Sequence, residues 1–236
     1  MHEKPRWPVS YTLGGVDMYV EFELPDIPVN QSGFDQYWRG SIFIKAPSER
    51  YQINALTGTY VRLVEAALIE YRLGAEKFRE FWSTHTSLNM GAMHRSTSHF
   101  ETCISNMYIA TKCYRRLKKD RLQDPIAQLL CTKKVEFAKD PITDKFRLVR
   151  NTIHHLEKDV MEGRIVTGQP FALKPDGPEV KHPTELNQTI KTIDRLVIGK
   201  YELLFSDLVL WLSEMSEVVV AIAEHLSNSY IPQVNN

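Results

Sequence analysis

The sequence has little of what would mark a secreted, membrane-spanning or strongly charged protein. Its three cysteines, Cys103, Cys113 and Cys131, show no metal-binding spacing and cannot all pair with one another, which indicates a reduced, cytoplasmic protein. The N-terminal residues lack the apolar core of a signal peptide. The most apolar run, residues 208 to 226, contains three glutamates and is therefore a poor membrane span. The formal net charge of zero excludes a global basic field but leaves room for a local basic patch.

The length and composition suit a globular protein of ordinary size. The 236 residues fit one large domain or one domain with additions, and 43% hydrophobic residues are enough to bury a core. Residues 1 to 47 are expected to form a strand-rich extension, and residues 229 to 236 a tail. Residues 48 to 228 are expected to form a helical domain with a β insertion at about 163 to 205. The predicted fold class is mainly α: a bundle of four long helices and a short one, with small β additions at the N-terminus and before the last helix.

Apolar residues at helical spacing predict the long helices. One helix of about thirty residues should run from about residue 48 to the sequence THTSLNMG. A second should end in RRLKK, because positive charge is favourable at a helix C-terminus. Asp124-Pro125 and Asp140-Pro141 place a capping residue before proline and predict helix starts near 125 and 141. Ser206 can cap the last helix. The stripe of the first helix is Tyr60, Val64, Ala67, Leu68, Tyr71, Ala75, Phe78 and Trp82. That of the second is Phe100, Cys103, Ile104, Met107, Ala110, Tyr114 and Leu117. That of the last is Leu208, Trp211, Leu212, Met215, Val218, Val219, Ile222 and Leu226.

Strand signals lie at the front of the chain and before the last helix. The sequence VDMYVEFEL, residues 16 to 24, alternates apolar and polar side chains, and Gly14-Gly15 supplies a hairpin turn before it. The sequence SIFIK is interpreted as another strand. Turn residues and β-branched runs between residues 163 and 205 predict a small antiparallel sheet.

The sequence KFRLVRNTIHHLEKDV, residues 145 to 160, contains two of only eight histidines, side by side. At 100° per residue, a helix from about 141 to 158 would separate its apolar and nitrogen-rich side chains onto opposite faces. The ordinary interpretation is a solvated polar face, but such faces commonly use Glu and Lys. The core face would hold Phe146, Val149, Ile153, Leu156 and Val160, and the opposite face Arg147, Arg150, Asn151, His154, His155 and Lys158.

The sequence RNTIHH resembles the signature of the HEPN superfamily (higher eukaryotes and prokaryotes nucleotide-binding). That signature is an arginine, then usually a polar residue such as Asn, with a histidine after about four to six intervening residues. Arg150, Asn151 and His155 match it, and the helix order resembles a HEPN bundle over roughly residues 50 to 228. The N-terminal strands and the β insertion depart from a minimal HEPN domain and leave the subfamily and the substrate open.

The resemblance implies a metal-independent endoribonuclease that needs no cofactor. HEPN enzymes commonly act as homodimers whose motif faces form one composite cleft, and the resemblance also implies a toxin or phage-defence role with an antitoxin or regulatory protein as partner. Arg150 would hold phosphate oxygens, and His155 would transfer protons during formation of a 2′,3′-cyclic phosphate. Asn151 would position a phosphate or hold His155. His154 would be either the second proton-transfer group or a phosphate contact.

Two other functions compete with this hypothesis. A non-catalytic HEPN-like bundle would bind RNA, a nucleotide or a protein, and the neutral net charge favours it. A helical interaction protein would have no nucleic-acid role.

Four other features are candidates for a function. The spacing of His85, His94 and His99 does not suit a metal, and the polar strip His99, Thr102 and Asn106 lines either the cleft or a helix contact. The basic run is either a solvated helix end or an RNA contact, and it comprises Arg115, Arg116, Lys118, Lys119 and Arg121. The apolar edge Val209, Leu210 and Val220 is available to a dimer.

Overall fold

The computed structural model describes residues 9–13, 16–28, 31–43, 46–83, 89–119, 124–163, 171–172, 178–184 and 187–228. The chain is mainly helical with a few small strands, which confirms the predicted mainly α class. The helices in the described residues are α1 (Gln31–Phe43), α2 (Tyr51–Ser83), α3 (Met90–Lys119), α4 (Pro125–Thr132), α5 (Asp140–His154), α6 (Leu156–Met161) and α7 (Phe205–Asn228). Among them, none combines the length and the apolarity needed to cross a membrane.

The apolar stripes predicted for α2, α3 and α7 are confirmed, since every residue assigned to them is buried. The capping prediction at Asp124 is also confirmed, because its carboxylate accepts from Ile126 N at 2.9 Å at the start of α4. Two predicted starts shift by a residue or two. α5 already includes Asp140, and α7 begins at Phe205, so Ser206 lies inside its first turn and does not cap it.

The prediction of a strand-rich extension at residues 1 to 47 is wrong for α1. This helix buries Gly33, Phe34, Tyr37 and Gly40 along one side at helical spacing. The isoleucines of SIFIK suggested a strand, but its first three residues form the last turn of α1, and its final two lie outside the described residues. Local β propensity gives way here to the burial of one helix face.

The strands are β1 (Val9–Leu13), β2 (Val16–Phe22), β3 (Phe171–Ala172), β4 (Glu179–Lys181), β5 (Thr189–Ile193), β6 (Arg195–Ile198) and β7 (Tyr201–Leu204). β1 and β2 pair antiparallel with Leu13 opposite Val16, as a hairpin requires; Gly14 and Gly15 lie outside the described residues. The insertion was expected to form its own antiparallel sheet. This is confirmed for β3, β6 and β7, which form an antiparallel sheet of that order, whereas β4 and β5 join the N-terminal hairpin through a parallel pairing of β2 with β5, in the order β1-β2-β5-β4. Pairing between distant strands leaves no local signal in either segment.

The chain divides into two compact units. The first, Met1–Asp26, Tyr71–Glu101 and Asn151–Val209, contains both sheets. Its core includes Phe78, Phe100 and Phe205, and the ring centroid of Phe205 lies 6.1 Å from that of Phe78 and 5.3 Å from that of Phe100. These contacts join α2, α3 and α7 within this unit.

The second unit comprises Ile27–Glu70, Thr102–Arg150 and Leu210–Asn236. Its core joins the same three long helices through Tyr60, whose hydroxyl donates to Met215 O at 3.0 Å and whose ring lies 6.1 Å from that of Tyr114. Phe146 of α5 packs edge-on against Trp211 at 5.1 Å, as expected for a core Trp211. The boundary between the two units falls inside α5, between Arg150 and Asn151.

Candidate functional site

The first half of α5 is firmly packed. Phe146 and Val149 are fully buried, and Lys145 lies over the ring of Trp211 at 6.0 Å. The exposed Arg147 pairs with Asp144 one turn earlier, at 3.2 Å. These contacts fix the position of the helix up to the motif.

The second half of α5 differs from the prediction. The helix ends at His154 and does not continue to residue 158. His155 has φ −117° and ψ 23°, and α6 starts after it at Leu156. The backbone hydrogen bond from His155 N to Asn151 O, 2.9 Å, is still made, so the break falls at His155 itself. The residues before it, including β-branched Thr152 and Ile153, are mediocre helix formers.

The predicted core stripe is therefore only partly correct. Phe146 and Val149 are buried, Ile153 is half-buried, and Val160 is 48% exposed. The side chain of Leu156 lies outside the described part of the chain. Because the helix breaks at His155, the phase drawn from residue 146 no longer applies to α6, and Val160 turns toward solvent.

The turn between β6 and β7 lies close to α5. Gly199 has φ +58°, a conformation that favours glycine in a tight hairpin turn. A Cβ built on Gly199 would lie 3.0 Å from Thr152 Cγ2, so the turn approaches α5 closely beside the motif. The β insertion thus contacts the segment that carries the two histidines.

The four predicted site residues occupy the more open side of this segment. Arg150 and Asn151 are half-buried, and His154 and His155 are exposed, as are the neighbouring Arg147 and Lys158. Arg150 and His154 lie one turn apart on continuous α5, whereas His155 lies in the turn after it. Within the described residues, the side chains of Arg150, Asn151, His154 and His155 make no hydrogen bond or ion pair. Their polar groups are therefore available to a ligand or a partner.

The other predicted polar residues fall on α3. His94 and Thr102 are exposed, His99 and Asn106 are half-buried, and His85 lies outside the described residues. Across the described ranges, no group of three or more His, Cys, Asp or Glu side chains is arranged to hold a metal ion.

The apolar edge assigned to a dimer contact is only partly open. Leu210 is 51% exposed and Val209 is half-buried. Val220, however, packs against α1, because a Cβ on Gly33 would lie only 2.7 Å from Val220 Cγ2. The contact between Val220 and α1 was not predicted, because no helix was expected at residues 31 to 43.

A groove in the second unit, here called the basic groove, was predicted from the sequence only in part. It has a volume of about 820 Å³ and lies among the end of α3, the segment between α4 and α5, and the start of α5. Arg115, Lys118 and Lys119 belong to the basic run already singled out, and Arg121 lies outside the described residues. The sequence TKKVEFAKD, residues 132 to 140, carries the rest of the signal. The charged residues that line the groove are Arg115, Lys118, Lys119, Lys133, Lys134, Glu136, Lys139 and Asp140.

Comparison with protein-family models, with characterised proteins and with solved structures finds no match for this chain.

Proposed function

We propose that the protein is a HEPN-type, metal-independent endoribonuclease that acts as a dimer with a composite site. One observation carries the proposal: α5 presents Arg150, Asn151 and His154 within its last turns on its more open side, with His155 directly after, and none is paired within the described residues. Some other arginines of the chain are paired with carboxylates, such as Arg147 with Asp144 and Arg195 with Asp194. An arginine left unpaired beside histidines is suited to bind phosphate.

These side chains match the needs of RNA cleavage. A histidine takes the proton of the 2′-hydroxyl, whose oxygen attacks the adjacent phosphorus. A second histidine gives a proton to the departing 5′-oxygen, which leaves a 2′,3′-cyclic phosphate and a 5′-hydroxyl. Arg150 stabilises the extra negative charge of the phosphorane between these two steps, so its effect is greatest in the transition state. Asn151 holds a phosphate oxygen or orients His155.

A dimer would complete this set. Each chain supplies one Arg150 and one His154–His155 pair, so two facing motifs provide one histidine as base and another as acid. Two-fold dimers are the commonest oligomers, and Leu210 is an exposed apolar residue of the second unit that such a contact can use. An antitoxin or regulatory protein would act by covering the same face.

The second candidate is a HEPN-like bundle that binds RNA, a nucleotide or a protein without cutting RNA. The position of His155 favours it. Because His155 lies in the turn between α5 and α6, it lacks the fixed helical register that holds Arg150 and Asn151. A proton-transfer group needs a fixed position relative to phosphorus, whereas a binding group tolerates variation.

The test is an RNA cleavage assay in EDTA with mixed single-stranded and transfer RNA. We expect cleavage to 2′,3′-cyclic ends, abolished by Arg150→Ala and weakened by Asn151→Ala. Arg147→Ala is the matched control, since Arg147 lies one turn earlier on the same helix but is exposed and pairs with Asp144. RNA that stays intact in EDTA but is cut with magnesium, equally by wild type and Arg150→Ala, would replace the ribonuclease by the binding bundle.

A further inference from the structure

We propose that the basic groove binds the phosphodiester backbone of single-stranded RNA. It would hold one part of the substrate while another part reaches Arg150. The identity of the polymer rests on the proposed function. The groove itself rests on charge, anchoring and reach within the second unit. The motif does not include it, and the net charge of zero for the whole chain gives no hint of it.

The charge of the groove is strongly one-sided. Two of its six cations are already neutralised, because Arg115 pairs with Asp140 and Lys139 pairs with Glu136. Among the described residues, no other carboxylate lines the groove. Within the described residues, Lys119, Lys133 and Lys134 form no ion pair. They therefore add positive potential that counterions or a polyanion must balance.

The segment that carries these lysines is anchored. Phe137 is fully buried and its ring contacts Tyr114 edge-on at 5.0 Å. The backbone N–H groups of Glu136 and Phe137 both donate to the carboxylate of Glu214, at 2.9 and 3.1 Å. Lys118 Nζ donates to Lys133 O at 3.1 Å. A fixed segment presents its charges without the entropic cost of ordering a loop on binding.

A second, smaller pocket continues the groove. It has a volume of about 390 Å³, and its described lining residues include Arg50, Arg116 and Lys119 and no acidic residue. Lys119 lines both pockets, so basic side chains of the two adjoin there, and they are here together called the basic track. A track of adjacent anion sites suits a polymer of phosphates better than a single phosphate ion.

The lining favours phosphate over base contacts. Among the described residues of the larger pocket's wall, the aromatic one is Tyr114, whose hydroxyl donates to Leu130 O at 3.3 Å inside the fold. Burial is the main cause that raises the pKa of Tyr114 to about 12, so the phenol stays neutral and does not repel an anion. With its aromatic ring buried, the groove offers charge and little stacking surface, and we expect binding that is independent of sequence.

The groove is within reach of the motif along a single helix. Asp140 and Pro141 line it at the start of α5, and Arg150 follows on the same helix. Ten helical residues span about 15 Å, which roughly four nucleotides of a strand cover at about 3.4 Å each. A strand seated in the groove can therefore reach Arg150.

The binding test uses a fluorescent oligouridine of about twenty nucleotides whose 2′-hydroxyls are methylated, with affinity measured by anisotropy as a function of salt. Methylation removes the attacking hydroxyl and leaves the phosphates, so the result does not depend on whether the motif cuts RNA. The double variant Lys133→Gln, Lys134→Gln should weaken binding about 25-fold at about 0.1 M salt and reduce the slope of log K against log salt by about 1.4, at about 0.7 for each lost phosphate contact. The matched control is Lys181→Gln, Lys200→Gln, which makes the same change of charge at exposed sites that line neither pocket. Equal losses in the two double variants would overturn the proposal.

Cys131 provides a probe of the groove in the unmodified protein. It is the exposed cysteine of the three and lies in the groove wall, while Cys103 and Cys113 are buried. We expect the oligonucleotide to slow alkylation of Cys131 by iodoacetamide. Polyglutamate of the same charge should protect it less. Equal protection by polyglutamate would identify an acidic peptide as the ligand and refute the RNA assignment, and no protection by RNA would refute the site.

If the groove variants lose RNA binding while RNA stays intact in the EDTA assay, the groove proposal stands and the ribonuclease proposal fails. If the wild type cuts RNA in EDTA and the groove variants bind the oligonucleotide and cut like wild type, the reverse holds.

Discussion

Helices α3 and α5 carry the same kind of apolar stripe but are held very differently. Every stripe residue of α3, from Phe100 to Leu117, is buried. On α5 full burial ends at Val149, and the helix itself ends five residues later at His154. The contrast shows that a periodic stripe predicts a helix but does not guarantee that neighbours cover its whole length. The proposed site lies where the cover thins, as expected for a segment that must meet a ligand or a second chain.

The largest difference between the motif segment and α3 should appear in the rate of RNA cleavage. His155→Ala should lower the cleavage rate about 10²–10⁴-fold, because the role proposed for His155 is proton transfer. His94→Ala, which removes an exposed histidine from α3, should leave the rate close to wild type. Turnover measured with excess RNA in EDTA compares them.

His154→Ala is the informative companion in that assay. Helical register places His154 one turn after Arg150, while the HEPN-like spacing selects His155. A larger loss at His154 than at His155 would show that register on α5 decides which histidine reacts.

The next largest effect should be on the stability of α3. Phe100→Ala should lower the free energy of unfolding by about 3–5 kcal/mol, because Phe100 is fully buried against Tyr71 and Phe205. The control is Phe43→Ala on α1, where the side chain is 81% exposed and the expected change is within about 0.5 kcal/mol. Urea denaturation followed by circular dichroism measures both. Similar losses would mean that the aromatic cluster does not stabilise the fold.

A smaller effect should come from the glycines of α1. Gly33→Ala should destabilise the protein by about 1–3 kcal/mol, because the new methyl would overlap Val220. Gly40→Ala is matched to it on the same helix but has no atom within 4 Å of the added carbon. It should stabilise the protein by about 0.5–1 kcal/mol through helix propensity. Opposite signs in thermal denaturation are expected, and the same sign would refute the packing of α1 on α7.

The smallest effects should lie along the second half of the motif segment. Ile153→Ala should cost about 1–2 kcal/mol, below the usual range for a core isoleucine, because Ile153 is only half-buried. Val160→Ala should change stability by less than about 0.5 kcal/mol. A loss at Ile153 as large as that at Phe100 would remove the contrast between the two helices.

The long helices could be predicted from sequence because their signal is local and repeated. Residues such as Tyr60, Phe100 and Leu212 recur at a spacing that only a helix brings to one face. α1 could not be found in this way, since two of its four buried residues are Gly33 and Gly40, which carry no hydrophobic signal. Arg150, Asn151 and His154 lie on the predicted side of α5, but His155 lies beyond the end of the helix, and this break was not predicted.

What the sequence could not provide is pairing between distant segments. The basic groove combines Lys119 with Lys133 and Lys139, which belong to different elements and meet only in the folded chain. The mixed sheet likewise depends on Tyr19 of β2 lying opposite Ile190 of β5. Neither segment alone indicates its partner, because strand propensity describes a half-buried surface and not a neighbour.

The parallel pairing of β2 with β5 also sets an order of assembly. The paired residues are about 170 positions apart, so closing this loop costs roughly 4–5 kcal/mol of chain entropy by the logarithmic rule. During synthesis at about 5–20 residues per second, the β1–β2 hairpin must wait about 10–30 s before β5 exists. Throughout that interval one edge of β2 has no strand beside it, which leaves the β1–β2 hairpin open to misassembly on the ribosome.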